Sequence, residues 1–324
     1  MKLVTFGIQT PLGLQERLGA LHEGDVVDLS AAYARLLASR GVHAARRLAE
    51  AILPSDMVAF LEQWPLSLEA AKEALHFGIG LRDDPNSPRV VYRAQETVPR
   101  IPLRPRRIKD YLVYEQHKRK AMAKKGLEMP ELWYRMPTYT NRNVMGIAHP
   151  GDDIRWPAYS QKLDFEFEIA AVIGKMGKNI TAEDAAPYIA GFTIYNDWSA
   201  RDTQADEGLI GAGAGKSKDF DQGNVLGPCI VTTDEIDASN LDMILRVNGQ
   251  EWSRGNTSGM KFTWGQIIEN ASRDETIYPG DVFASGTMDE GCSLELGKWL
   301  APGDRVEMEA IGIGVLTNRI IKPA

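Results

Sequence analysis

Residues Leu163 to Gly174 read LDFEFEIAAVIG. In a strand successive side chains point to opposite faces. Asp164, Glu166 and Glu168 therefore share one face, and Phe165, Phe167 and Ile169 share the other. The second half of the stretch is unbroken apolar sequence, as in a strand buried on both sides. Two readings of the acidic face follow. It is the solvated side of an amphipathic strand, or it is held together by a cation, because like charges in close quarters need one. A hard divalent ion with oxygen ligands, Mg²⁺, Mn²⁺ or Ca²⁺, would suit such carboxylates.

The next segment adds polar chemistry at the end of another strand. PYIAGFTIYND is apolar until Asp197, and WSARDTQ follows. If the chain turns helical there, Arg201 and Gln204 share a face with Asp197. That combination of acid, fixed cation and amide suits a small carboxylate substrate, although a capped helix with a surface ion pair has the same pattern. Further on, LDMILRVNGQEWSRG reads as a hairpin turning at Asn248-Gly249. FTWGQIIENAS reads as a short helix, and GDVFASGT and DRVEMEAIGIGVLTNRI as strands.

On the N-terminal side, KLVTFG and GDVVDLS are predicted strands joined by a polar LHEG turn. Ala31 to Leu75 carries apolar residues at helical spacing, with Ser55 and Ser67 as candidate N-caps. Between Arg82 and Arg107, Pro85, Pro88, Pro99, Pro102 and Pro105 mark an extended connector. The expected organisation is a smaller N-terminal α/β domain, 1–105, and a larger domain, 106–324. The fold class is α+β and β-rich; no regular βαβ repeat supports a doubly wound or barrel fold.

Composition bounds the function. The chain has 324 residues and a net charge of −7, which argues against a general nucleic-acid or anionic-membrane surface. Cys229 and Cys292 have no CxxC spacing, which fits a reducing compartment. With no apolar run of membrane-spanning length and no signal-like N-terminal stretch, a cytoplasmic protein is expected. GAGAGKSKDFD, 211–221, resembles a phosphate loop only at first sight. The P-loop spacing would need glycine at Ile210, and the dinucleotide spacing would need it at Lys216. There is no HExxH and no G-x-S-x-G, and His117 stands alone in DYLVYEQHKRK.

Together, LDFEFEIAAVIG, FTIYNDWSARDTQ, GKSKDFD...LGP, ASGT and SLEL, in that order, resemble the fumarylacetoacetate hydrolase family. The resemblance covers about residues 106–324 and implies a mixed β-sandwich roll, a homodimer, and a 2-oxo or diketo acid bound to a divalent metal. It implies Glu166, Glu168, Asp197 and Asp110 as metal ligands. It implies His117 as the base, Glu295 as the acid orienting it, and Lys218 as a catalytic cation. Arg201, Gln204, Thr287 and Tyr139 match substrate-binding positions. Many relatives carry H-x-x-E, but here the third residue after the histidine is Lys120, so Glu295 is the expected partner. Gln222 stands where fumarylacetoacetase has threonine. The leading expectation is C–C hydrolysis of an acylpyruvate- or fumarylacetoacetate-like acid by water activated at His117. A lyase or isomerase of 2-oxo acids, including a tautomerase, is the alternative, and a non-catalytic binding protein is the third reading. Residues 206–216 are expected to form a mobile lid.

Overall fold

The computed structural model describes residues 1–82, 89–123, 126–211 and 213–322. Pro85 and Pro88 of the connector and Ala212 of the glycine-rich segment lie outside the described residues.

The strand Phe167–Ile173 is buried along its whole length and sits inside a twelve-stranded sheet. Its neighbours are Ile189–Asp197 on one side and Val282–Ala284 on the other. Beyond Val282–Ala284 come Ile108–Tyr111 and Tyr139–Arg142. Beyond Ile189–Asp197 comes Asn224–Thr232, which pairs with the N-terminal strand Lys2–Thr10. Gly13–His22, Asp25–Asp28 and Val91–Arg93 complete that edge. The N-terminal strands thus extend the same sheet that carries the acidic strand.

A second sheet of five strands includes the hairpin Asp242–Val247 and Gln250–Asn256, with Arg305–Ala310 and Gly314–Ile321. It packs on one face of the large sheet. Phe167, Ile169, Ala171 and Ile173 enter the core between the sheets, with Met243, Leu245, Met308 and Leu316. Ala170 and Val172 point the other way, into a core with Leu29, Ala32, Leu53 and Phe60 of the N-terminal helices. The period of two assigns these side chains to two different cores, so both faces are covered, as the unbroken apolar run indicates.

Asn248 and Gly249 both adopt positive φ, 53° and 77°, as a two-residue hairpin turn requires. The helix Trp264–Ser272 begins at Thr263, whose side chain accepts from Gln266 N–H in a capping box. The N-caps expected upstream are displaced. Asp56, not Ser55, caps Met57–Leu61, and Ser67 lies inside Leu66–Ile79, where its hydroxyl donates to the Phe60 carbonyl. The strand Gly13–His22 precedes the expected LHEG turn and runs into its first two residues; its first half, GLQER, is partly exposed and mixed in polarity and gives no strand pattern. Among the described residues, no helix is long and apolar enough to cross a membrane.

Candidate metal and proton-transfer site

The sheet places three acidic residues near adjoining strand ends. Ala170 lies opposite Ala284, and Ala284 opposite Asp110, which brings Asp110 alongside the start of the acidic strand. Glu168 faces Tyr195, two residues before Asp197. Glu166 lies in a break between the strands Leu163–Asp164 and Phe167–Ile173. Its N–H donates to Asn196 Oδ1 at 3.1 Å instead of joining a ladder. The result is a group of four buried carboxylates, Asp110, Glu166, Glu168 and Asp197, each offering an oxygen within 4.8 Å of the others. The acidic face is therefore a buried cluster rather than a solvated one. Asp164 is turned out of it: its oxygens accept from Arg201 Nε at 2.7 Å and from the N–H groups of Ser293 and Leu294.

Three cations are built into the cluster. Lys218 Nζ bridges Glu166 and Asp197. Arg142 donates to Asp110 and Asp197. Arg201 pairs with Asp164 at 2.7 Å and Glu166 at 2.8 Å. Asp110, Asp164, Glu166, Glu168 and Asp197 therefore outnumber Arg142, Arg201 and Lys218 by two formal charges, an excess that a divalent ion would balance. The unpartnered atoms agree: Asp110 Oδ1, Glu168 Oε1 and Asp197 Oδ1 are buried without a hydrogen bond. These residues fit a hard, oxygen-ligated cation.

The electrostatics divide the cluster. Burial, and then the neighbouring Asp110, Glu166 and Asp197, push Glu168 well above the usual carboxylate range. Burial also pushes Asp197 up, to about 7, against the pull of Arg142 and Lys218. Glu166 goes the other way: burial opposes its ionisation, but Lys218 and then Arg201 outweigh it and hold it well below. Gly286 N–H donates to Glu168 Oε2 at 2.9 Å. Only glycine serves there: φ is 84°, and a Cβ would lie 2.2 Å from the Tyr111 carbonyl oxygen.

His117 lies buried in the helix Glu115–Ala123. Its backbone N–H donates to Asp289 Oδ1 at 3.0 Å, and its Nδ1 is hydrogen-bonded to Glu295 Oε1. Glu295 Oε2 accepts from Glu290 N–H at 3.0 Å and lies 3.3 Å from Lys120 Nζ. Burial opposes ionisation of Glu295, yet the His117 hydrogen bond and nearby charges hold its carboxyl below the usual value. Asp164 links this pair to the carboxylate cluster: it shares Arg201 with Glu166 and accepts from the N–H groups of Ser293 and Leu294, next to Glu295.

Arg201 Nη1 donates to Gln204 Oε1 at 2.8 Å, one turn along the helix Arg201–Leu209. Arg201 turns toward Asp164 and Glu166 rather than Asp197, because the helix starts at Arg201 itself. Thr287 is buried between Gly286 and Met288, whose N–H groups donate to Glu168 and to the Phe167 carbonyl. Tyr139 is not brought to the cluster. It lies opposite Tyr111, and its hydroxyl accepts from Lys109 Nζ at 2.9 Å, on the face of the sheet away from Asp110. Gln222 binds the backbone of Asp153 and Arg155, a structural role. In the glycine-rich segment Lys216 is exposed and donates to the Asp219 carbonyl. The Glu207 carboxylate accepts from the N–H groups of Gly215 and Ser217 and from the Ser217 hydroxyl, anchoring the turn before Lys218.

Arg142, Gly286 and the turning of Asp164 toward Arg201 escape sequence reasoning. Arg142 is a single arginine in the polar stretch YTNRN, and nothing in its spacing marks it as buried. ASGT does single out the segment of Gly286, but the need for a close backbone approach is visible only in three dimensions.

A sequence model described as Fumarylacetoacetate (FAA) hydrolase C-terminal matches residues 107–321. A Bos taurus protein named "Oxaloacetate tautomerase FAHD2A, mitochondrial" is 32% identical over 328 residues, covering 99% of this chain and 92% of that one. The Homo sapiens protein of the same name is 33% identical over 276 residues, covering 83% and 81%. A solved 5-carboxymethyl-2-hydroxymuconate delta-isomerase from Mycobacterium smegmatis superposes with a TM-score of 0.68 at 24% identity, covering 100% of both chains. A fumarylacetoacetate hydrolase from Exiguobacterium antarcticum superposes with a TM-score of 0.69 at 23% identity, covering 99% of this chain and 100% of that one.

Proposed function

Because this chain belongs to the fumarylacetoacetate hydrolase family, we propose that it is a divalent-metal-dependent tautomerase or isomerase of 2-oxo acids, with oxaloacetate as the first substrate to test. The observation that carries the reading is the His117–Glu295 pair set beside four carboxylates with three unpartnered oxygens. The relatives above 30% identity named as oxaloacetate tautomerases, matched over most of both chains, support it.

Asp110, Glu166, Glu168 and Asp197 would hold the ion, Mg²⁺, Mn²⁺ or Ca²⁺. When bound, it supplies Lewis-acid polarisation of the 2-oxo group. The rest is done by the chain. Arg201, with Gln204 beside it, presents a cationic fork to the substrate carboxylate. Thr287 belongs to the same reading as a substrate contact. Glu295 accepts from Nδ1–H and leaves Nε2 of His117 as the basic nitrogen. Nε2 takes a proton from the carbon next to the oxo carbon. The C–H pair becomes the C=C bond, and the carbonyl π pair moves to oxygen. That oxygen takes a proton from the Lys218 ammonium, giving the enol. The reverse path uses the same atoms, and solvent re-equilibrates the two groups.

The second reading is C–C hydrolysis of an acylpyruvate- or fumarylacetoacetate-like acid, with His117 taking its proton from water. The pairing of His117 with Glu295 favours it, since that is the arrangement implied by the resemblance to fumarylacetoacetase. Oxaloacetate in D₂O with Mg²⁺ or Mn²⁺ separates the readings. Enol loss faster than in buffer, with deuterium at C3 and no new carboxylate, supports the tautomerase. Solvent oxygen in a new carboxylate from a 2,4-dioxo acid supports hydrolysis. No acceleration with any 2-oxo acid sinks both. The protein acts in this reading as a homodimer, tested by light scattering against the 35.9 kDa chain mass.

A further inference from the structure

We propose that Lys120 is a positioning residue for proton transfer, the third member of a His117–Glu295–Lys120 relay that keeps Glu295 ionised through the catalytic cycle. The inference rests on the reading that His117 moves the substrate proton.

Glu295 is a carboxylate with 3% of its side chain exposed. A buried carboxylate needs a counter-charge or it takes up a proton. His117 supplies that charge only while protonated, and a base must spend part of each cycle neutral. In that interval Lys120, 3.3 Å from Glu295 Oε2, remains as a cation in contact with the carboxylate. The charge has a chemical effect: an ionised Glu295 accepts from Nδ1–H, which fixes the imidazole tautomer and leaves Nε2 free to act. A protonated Glu295 would lose that hold.

The local backbone supports the arrangement. Lys120 also pairs with Glu290 Oε1 at 3.3 Å, and Glu290 N–H donates to Glu295 Oε2 at 3.0 Å, closing a ring of three residues. Glu290 has a φ of 60°, an uncommon conformation for a non-glycine residue, and it directs that N–H. The groups around the pair come from each adjoining element. Asp289 and Glu290 lie on the preceding loop, Cys292 and Glu295 flank and form the short helix Ser293–Leu296, and Glu166 lies on the sheet side. Against these acidic neighbours Lys120 brings a fixed positive charge into contact with Glu295. It lines a cleft of about 450 Å³ with Gln116, Arg254 and Ser258. Its side chain is 39% exposed, so replacement there does not open a core.

The test uses the metal-loaded protein and the 2-oxo acid turnover assay, with Lys120→Met, Lys120→Gln and Lys120→Arg. Lys120→Met is expected to lower kcat about tenfold with KM within about twofold, and to move the acid limb of the pH–rate profile upward by about half a unit, as Glu295 takes a proton more readily. Lys120→Arg should restore both. Lys120→Gln serves if Lys120→Met fails to fold. Unchanged kcat and acid limb in the neutral variants, or a loss that arginine does not repair, overturns the proposal. His117→Gln run in parallel keeps the two claims apart: full activity there overturns the underlying reading, whatever Lys120 does.

Discussion

Arg142 Nη2 donates to Asp110 Oδ2 at 2.6 Å, between side chains only 5% and 4% exposed. The same guanidinium reaches Asp197 through Nε at 3.0 Å. One positive charge is therefore shared between two proposed metal ligands. Arg142→Met leaves both carboxylates buried against each other, and breaking such a pair costs about 3 kcal/mol or more. The melting temperature of the metal-free protein should fall sharply, and saturating Mn²⁺ should recover part of the loss. A variant that melts like wild type without metal would refute the role.

Metal affinity should fall as the medium becomes more acidic. In the metal-free protein burial holds Asp197 up at about 7 and Glu168 well above the carboxylate range. Both must be ionised to bind a cation, so binding releases protons. These raised groups favour the metal-free fold at acid pH and withdraw that stability as the pH climbs toward about 7; bound metal reverses the trend. Calorimetry in buffers of different ionisation enthalpy should show proton release on Mn²⁺ binding at pH 7 and weaker affinity at pH 6. Affinity independent of pH would contradict the assignment.

His117→Gln should lose at least about 100-fold in kcat, the scale of a missing general base, while KM and Mn²⁺ affinity stay within a few-fold. A parallel loss of metal binding would place His117 among the ligands instead.

Gly286→Ala tests whether backbone geometry sets the site. The added Cβ meets the Tyr111 carbonyl at 2.2 Å, so the segment must shift and Glu168 loses the N–H donor it has from Gly286. We expect a destabilised protein with weakened Mn²⁺ binding. Wild-type calorimetry would show that the contact is dispensable.

The acidic strand was legible because its period states both faces at once: alternating acids, then an apolar run divided between two cores. The Asn248-Gly249 turn was legible because few residues accept two positive φ angles in succession. Distance in sequence hid the rest. Asp164 reads as one more member of an acidic row, yet a two-residue break in the strand turns it toward Arg201. Arg142 lies 32 residues from Asp110 and 55 from Asp197, and only strand pairing reveals the contact. The joining of Lys2–Thr10 to Asn224–Thr232 is likewise a long-range register that no local pattern encodes.

Asp164 gives the protein a mechanical linkage. One carboxylate grips Arg201 and, through the N–H groups of Ser293 and Leu294, the start of the short helix that carries Glu295. Under the proposed function, a substrate carboxylate bound at Arg201 would therefore also load the support under the His117 partner. Head-group capture and alignment of the base would then be a single event, and an acid lacking the head group would be both poorly held and poorly turned over.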